Sequence, residues 1–235
     1  MTRSRVNETF GHLTTALVAD ACIRLGLPLR LAPQAIRPLT VGSRVLGRAL
    51  PARHYGSVDI FLEAMEGSEP GDILVIDNGG RTDEACIGDL VALEAHACRL
   101  PGIVVWGCHR DTGDLRRIGV SVFSAGSCPA GPTRLAAREA AALTSARVGT
   151  CEVDANDHVV ADDDGVLFIA TERLEPVLRT ANAIWETERR QAEAVKAGRT
   201  LREQLRFTQY LAKRSVDPGH TFRDHLRALG GAIEE

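Results

Sequence analysis

No Cys-x-x-Cys pair occurs among the six cysteines (Cys22, Cys86, Cys98, Cys108, Cys128 and Cys151), which are scattered through apolar segments. That argues against a zinc site and against a secreted disulfide framework, and leaves reduced, mostly buried thiols. Charge of one sign is also lacking. The 28 Lys+Arg and 31 Asp+Glu nearly cancel to −3 over 235 residues, so there is no electrostatic footprint for nucleic acid and no charged run for an anionic membrane surface. Apolar runs such as 103–106 are far too short to span a bilayer, and the opening MTRSRVNETFGHL lacks the apolar core of a signal peptide. The expectation is a cytoplasmic protein with neither nucleic-acid nor membrane partners. Gly-x-Gly-x-x-Gly, Gly-x-x-x-x-Gly-Lys, Gly-x-Ser-x-Gly and His-Glu-x-x-His are all missing, which weakens dinucleotide, P-loop and common hydrolase readings. His220 and His225 are five apart, do not share a helix face as metal ligands would, and are expected at the surface.

What is present, 44% hydrophobic and 25% charged residues, is the composition of an ordinary globular protein with a sizeable core. The spacing predicts a helix over 8–25 stopped by Gly26, a Pro-containing connector over 27–38, a strand over 41–52, and a short helix to Met65 that Ser57 can cap. After the turn at 69–72, residues 73–77 are an apolar run that Asn78-Gly79-Gly80 breaks. Helical spacing over 89–100 follows, then a second apolar run over 102–106. This reads as two parallel strands buried on both faces and joined by a right-handed crossover. Ligands in such units sit beyond the strands' carboxyl ends, here 77–80 and 108–111. Short strands are expected at 120–124, 147–153, 158–161 and 166–170, with 162–165 as a hairpin turn. A helix over 171–198 carries one apolar stripe. At 1.5 Å per residue it is about 35–40 Å long, so its far end is expected to meet a neighbouring subunit. Thr200–Glu203 and Thr221–Asp224 fit the capping-box pattern and start two more helices. Residues 1–198 are thus expected to form one domain and 199–235 a helical extension.

The residues that could carry chemistry are Gly88-Asp89, at the start of a predicted helix, and Arg110-Asp111, just past the second parallel strand. The helix's first turn offers unpaired N–H groups to a substrate carboxylate, and Arg110 can hold an oxygen pair bidentately. Asp111 is placed for a hard divalent cation, Mg²⁺ or Mn²⁺, completed by waters and substrate oxygens. On spacing alone, a helix-terminal charge at Asp89 and a surface ion pair at Arg110-Asp111 explain the same residues equally well. Asp162–Asp164 lack EF-hand spacing and read as a solvated turn. Cys108 reads as a core-facing strand-end thiol, His109 as a residue near the site, and Trp106 and Trp185 as packing or subunit-interface residues.

The segments GDILVID (71–77), GDL (88–90), GIVV (102–105), GCHRD (107–111) and ADDDGV (161–166) resemble the RraA-like family, comprising regulator of ribonuclease activity A and the class II 4-hydroxy-4-methyl-2-oxoglutarate aldolases. Asp89, twenty intervening residues and then Arg110-Asp111 match that family's metal and substrate motif. The resemblance covers roughly residues 10–198. It implies an α/β fold, a swivelling β/β/α-type domain of mixed sheets flanked by helices, here with a C-terminal helical extension. It also implies a homotrimer or homohexamer with sites between subunits. The implied activity is metal-dependent cleavage of a 4-hydroxy-2-oxo acid to pyruvate, with oxaloacetate decarboxylation as a side activity through the same enolate. Carried over, Asp111 binds the metal, Arg110 the pyruvoyl group, and Asp89 a water beside the metal. The backbone of Gly88, Asp89, Leu90 and Val91 takes the substrate carboxylate. Glu186 or Glu188 of a neighbouring subunit completes the site. The family also implies an alternative, a non-catalytic regulator binding a ribonuclease or another protein, against which the intact Asp89, Arg110 and Asp111 argue. A methyltransferase label carried by relatives is disfavoured by the missing glycine-rich nucleotide loop.

Overall fold

The computed structural model describes residues 11–229. Its strands are β1 (Arg37–Pro38), β2 (Val45–Arg53), β3 (Ile73–Ile87), β4 (Gly102–His109), β5 (Ser121–Ser124), β6 (Ser145–Val148), β7 (Cys151–Asp154), β8 (Asp157–Asp162) and β9 (Gly165–Ala170). Its helices are α1 (Thr15–Arg24), α2 (Asp59–Glu66), α3 (Asp89–Ala97), α4 (Thr112–Ile118), α5 (Thr171–Lys196), α6 (Leu201–Gln204), α7 (Phe207–Val216) and α8 (Phe222–Leu229). A mixed seven-stranded sheet runs β1-β5-β4-β3-β2-β8-β9, and β6 and β7 form a separate hairpin. Strands β2, β3, β4 and β5 pair in parallel, with β1, β8 and β9 added antiparallel at the edges.

The central strands are apolar without interruption because both faces are covered. In β3, Leu74 and Ile76 pack with α2, α3 and α4, while Ile73 and Val75 face the β6–β7 hairpin with Val104, Phe123 and Val153. This is the two-residue alternation of a strand read from opposite sides. A third cluster joins α1 and α5 to β8 and β9 through Leu17, Val18, Val160, Val177 and Leu178. No helix among the described residues is long and apolar enough to cross a membrane.

Several boundaries differ from expectation. The first helix is described from Thr15, after a turn, and residues 8–10 lie outside the described residues. Strand β2 begins at Val45, α2 starts without a Ser57 side-chain cap, and α3 stops at Ala97. The expected 147–153 strand is two strands turned about Gly149. Helix α4 follows directly on Asp111, where no helix was expected. The largest correction is β3. Asn78-Gly79-Gly80 does not end it, since the strand continues to Ile87 with register shifts against β4 after Asp77, Arg81 and Ala85. Gly79 and Gly80 lie at φ 66° and 70°, and a Cβ on Gly80 would stand 2.5 Å from the Trp106 ring. The glycines therefore kink a strand that the neighbouring β4 keeps paired.

Among the described residues, the chain beyond Gly198 holds three helices rather than two. Both capping boxes form: Thr200 with Glu203, and Thr221 with Asp224. His225, expected at the surface, is buried against Tyr210 and donates from Nε2 to the Leu205 carbonyl, 2.8 Å. Asp162 is likewise not solvated: it is buried and accepts hydrogen bonds from the Thr15 N–H and hydroxyl, 2.7 and 2.5 Å, fixing the start of α1.

Candidate active site

Strand β3 delivers its last residue, Ile87, to Gly88, the N-cap of α3, while β4 delivers His109 to Arg110 and Asp111. The two crossings are tied together where the Arg110 N–H donates to the Ile87 carbonyl, 3.0 Å. Asp111 is the N-cap of α4 yet makes no side-chain cap bond, and its backbone is left-handed at φ 57° and ψ 38°. Few residues other than glycine adopt that conformation, aspartate more readily than most. Its effect is to turn the carboxylate away from α4 and towards α3. Oδ2 lies 3.4 Å from the Asp89 N–H and 3.5 Å from Arg110 Nε.

Gly88 makes that approach possible. A Cβ there would stand 2.3 Å from Asp111 Oδ2 and 3.2 Å from Arg110 Nε. Asp89 turns one carboxylate oxygen onto the Leu90 N–H, 2.8 Å, so this oxygen covers one of the first-turn donors that a bound carboxylate would use. From this end opens a cavity of about 600 Å³ bounded by Gly88–Val91, Arg110 and Glu94, and by Val58, Leu62, Leu93 and Pro132. Its size is ordinary for a small-molecule site.

One wall of the cavity belongs to the irregular strap 125–140, which carries Pro132. The Ala85 N–H donates to the Ala130 carbonyl, 2.7 Å, and a Cβ on Gly131 would stand 2.9 Å from Arg110 Nη1. Arg134 anchors the strap by donating to Glu84 Oε1, 3.0 Å, and to Asn78 Oδ1, 2.9 Å. Asn78 Oδ1 also lies 2.8 Å from His54 Nδ1. Glu84, Asn78 and His54 are all buried. Burial, with the nearby Arg134 charge, holds His54 below the usual histidine range. Sequence reasoning missed these residues, because nothing local indicates what the segment over 126–132 crosses.

The structure thus brings Gly88, Asp89, Leu90, Val91, Arg110 and Asp111 together at one corner. Glu186 and Glu188 are on α5, which packs on α1, β8 and β9, and they do not line this cavity. Glu186 already accepts from Asn182, 2.9 Å. His109 points elsewhere, with Nδ1 2.7 Å from Ser124 and Nε2 3.0 Å from Thr112. Cys86 lines the cavity but burial pushes its thiol far up, and Cys108 is raised by burial as well, so neither is a ready nucleophile. Asp77 is committed to the N–H groups of Gly79 and Arg147.

Among the described residues no three His, Cys, Asp or Glu side chains gather to hold an ion. The corner therefore offers no all-protein cage. Its donors are oxygens, Asp111 with Asp89 on the adjoining helix, and the missing Gly88 side chain is what lets the Asp111 carboxylate approach that helix. Such a set suits a hard cation that keeps most of its waters and takes substrate oxygens, and it does not suit zinc.

A family profile described as RraA-like, Aldolase/RraA, matches residues 15–168. The chain belongs to the RraA-like family. It is 30% identical over 202 residues to Protein DlpA of Legionella pneumophila, an alignment covering 82% of this chain but only 32% of DlpA, so the chain spans about a third of that relative. It is 31% identical over 143 residues to a Burkholderia multivorans protein named "Putative 4-hydroxy-4-methyl-2-oxoglutarate aldolase", covering 61% of this chain and 86% of the relative. Among solved structures, an uncharacterized protein from Pseudomonas syringae pv. tomato superposes with a TM-score of 0.73 at 26% identity, over 85% of this chain and 96% of that one. Streptomyces coelicolor RraAS2, described as an unusual member of the RNase ES inhibitor RraA family, superposes at 0.67 over 79% and 96%; at 24% identity it speaks for the RraA-like fold alone.

Proposed function

We propose that this RraA-like chain is a class II pyruvate aldolase, cleaving a 4-hydroxy-2-oxo acid such as 4-hydroxy-4-methyl-2-oxoglutarate, with oxaloacetate decarboxylation as a side activity. The observation that carries the reading is the turn of Asp111 away from its own helix towards bare Gly88, beside Arg110 and the start of α3. The names of several relatives point the same way. Asp111, with Asp89 nearby, would hold Mg²⁺ or Mn²⁺, which when bound supplies Lewis-acid stabilisation to the enolate oxygen.

The remaining steps fall to the chain's own groups. The N–H groups of Asp89, Leu90 and Val91 receive the substrate carboxylate once Asp89 releases Leu90. Arg110 donates to the 2-oxo oxygen and stabilises charge as it develops there. Asp89 orients the water that takes the C4 hydroxyl proton. The C3–C4 bond breaks, its electron pair passes into the pyruvate enolate, C4 leaves as a carbonyl, and protonation at C3 gives pyruvate. As the family resemblance implies, we take Glu186 or Glu188 of a neighbouring subunit to stand close to that water; neither lines the cavity of its own chain.

Coupling pyruvate release to lactate dehydrogenase tests the reading. Release from oxaloacetate and from 4-hydroxy-4-methyl-2-oxoglutarate is expected with Mg²⁺ or Mn²⁺ and should stop with EDTA. A folded protein that releases no pyruvate from either substrate would overturn it and favour the regulatory alternative.

A further inference from the structure

The Arg110 side chain passes between two glycines that come from different parts of the chain. A Cβ on Gly88, at the start of α3, would stand 3.2 Å from Arg110 Nε and 3.3 Å from its Cγ, and a Cβ on Gly131, in the strap, would stand 2.9 Å from Nη1. Neither position needs glycine for its backbone. Gly88 is extended, at φ −144° and ψ −160°, and Gly131 does not have a positive φ. Pro132, next in the chain, itself favours an extended residue before it, a conformation open to any side chain. What the two positions share is the close passage of Arg110. Beyond its chain neighbours, the only atoms among the described residues within 4 Å of a Gly131 Cβ are Nη1 and Cζ of Arg110, the latter at 3.9 Å.

The strap is tied down on both sides of Gly131. Before it, the Ala130 carbonyl accepts from the Ala85 N–H, 2.7 Å; after it, the Arg134 side chain reaches the buried Glu84 and Asn78, 3.0 and 2.9 Å, and the Ala136 N–H donates to the Tyr55 carbonyl, 2.8 Å. Gly131 is thus a fixed surface, whereas Arg110 is a rotamer-rich side chain, 49% exposed, that free in water would sample many orientations. Resting on the aldolase reading above, we infer that Gly88 and Gly131 form a slot that orients the Arg110 guanidinium, and that Gly131 is a positioning residue for the reaction, with Arg134 as the anchor that keeps it in place. The slot restrains the guanidinium before substrate arrives, so that less freedom is lost on binding and the donors already face the 2-oxo oxygen. It is built within one chain and does not depend on what a neighbouring subunit brings.

Gly131→Ala is a selective probe, because its methyl group meets the tip of one flexible side chain. With the full chain and Mg²⁺, kcat/KM for oxaloacetate decarboxylation should fall at least about tenfold while the urea midpoint stays unchanged. In an Arg110→Lys background, where the side chain ends near the position of Cζ, the same substitution should cost less than about twofold, and Arg134→Ala should show the same coupling to Arg110. A readout independent of activity is the rate at which phenylglyoxal modifies Arg110, mapped by mass spectrometry. It should rise severalfold in Gly131→Ala and in Arg134→Ala as the guanidinium leaves the slot. Equal losses of kcat/KM in the two backgrounds, or a Gly131→Ala protein with kcat/KM and modification rate both unchanged, would overturn the inference and spare the aldolase reading. A wild-type protein that releases no pyruvate, but whose Arg110 is still freed by Gly131→Ala, would remove the aldolase reading and keep the slot as the holder of Arg110 for a different substrate.

Discussion

Asp111 combines a left-handed backbone, a helix N-cap position and a side chain that declines to cap. An aspartate at an N-cap ordinarily turns its carboxylate onto its own helix. Here the carboxylate faces Gly88 and Arg110, an arrangement that costs conformational energy and persists because the Arg110 N–H to Ile87 bond and the paired strands over-determine it. Gly88→Ala should therefore cost more function than stability. With a Cβ 2.3 Å from Asp111 Oδ2, the carboxylate must move, so turnover should fall at least about tenfold while unfolding free energy drops by about 1–2 kcal/mol. Equal turnover in the variant would show that the close approach is irrelevant. His54 supplies a pH prediction. Burial lowers its folded-state value, so as pH falls through about 6.5 the unfolded chain takes up a proton that the folded chain refuses. Its contribution is complete above that pH and is lost on going below it. Urea midpoints should decline from pH 7.5 to 5.5, and His54→Gln should flatten the decline; an unchanged slope would contradict the assignment. At this scale the sequence was informative about the reacting corner, because Gly88, Asp89, Arg110 and Asp111 are adjacent in pairs. Glu84, Asn78 and Arg134 were silent, because their meeting depends on a loop returning across 50 and 56 positions.

The element that decides the shape of the site is β3. Read as 73–77 it ends where the ligand should sit, whereas in the structure it runs on to Ile87, and its kinked second half supports the strap. A glycine pair signals a turn when only local propensity is read, and here pairing with β4 overrides it. The consequence is a clamp: Arg134, part-exposed, spans Glu84 and Asn78 and holds Pro132 over the cavity. Arg134→Ala leaves Glu84, with a side chain only 4% exposed, without its main cation, and should cost about 2–4 kcal/mol, somewhat less than loss of a fully buried pair because Arg81 remains nearby. Denaturant unfolding reads the value, and a loss below 1 kcal/mol would mean the strap is held by its backbone contacts alone. The β3–β4 pairing and both capping boxes were legible, since apolar runs and Thr-x-x-Glu/Asp patterns are local. Helix α4 was not, because seven residues carry too little periodicity to register.

For the whole molecule, three apolar clusters account for residues 13–184, and the buried Leu205, Tyr210 and Leu226 of the extension stand apart from them. We propose accordingly that 199–235 is a unit added to the RraA-like domain, and ending the chain at Gly198 should leave a single cooperative unfolding transition. Loss of that transition would make the extension part of the core. The placement of Glu188 or Glu186 in a neighbour's site predicts complementation: oligomers mixed from Asp111→Ala and Glu186→Gln/Glu188→Gln subunits should recover part of the turnover that each parent lacks, and no recovery on subunit exchange would contradict a shared site. The central claim concerns Asp111, and it is tested most directly by the rate of metal-dependent pyruvate release from oxaloacetate for Asp111→Ala beside the wild type, with circular dichroism confirming the fold. The account predicts a fall of about a thousandfold or more at every Mg²⁺ concentration tried; turnover unchanged in that variant would contradict it.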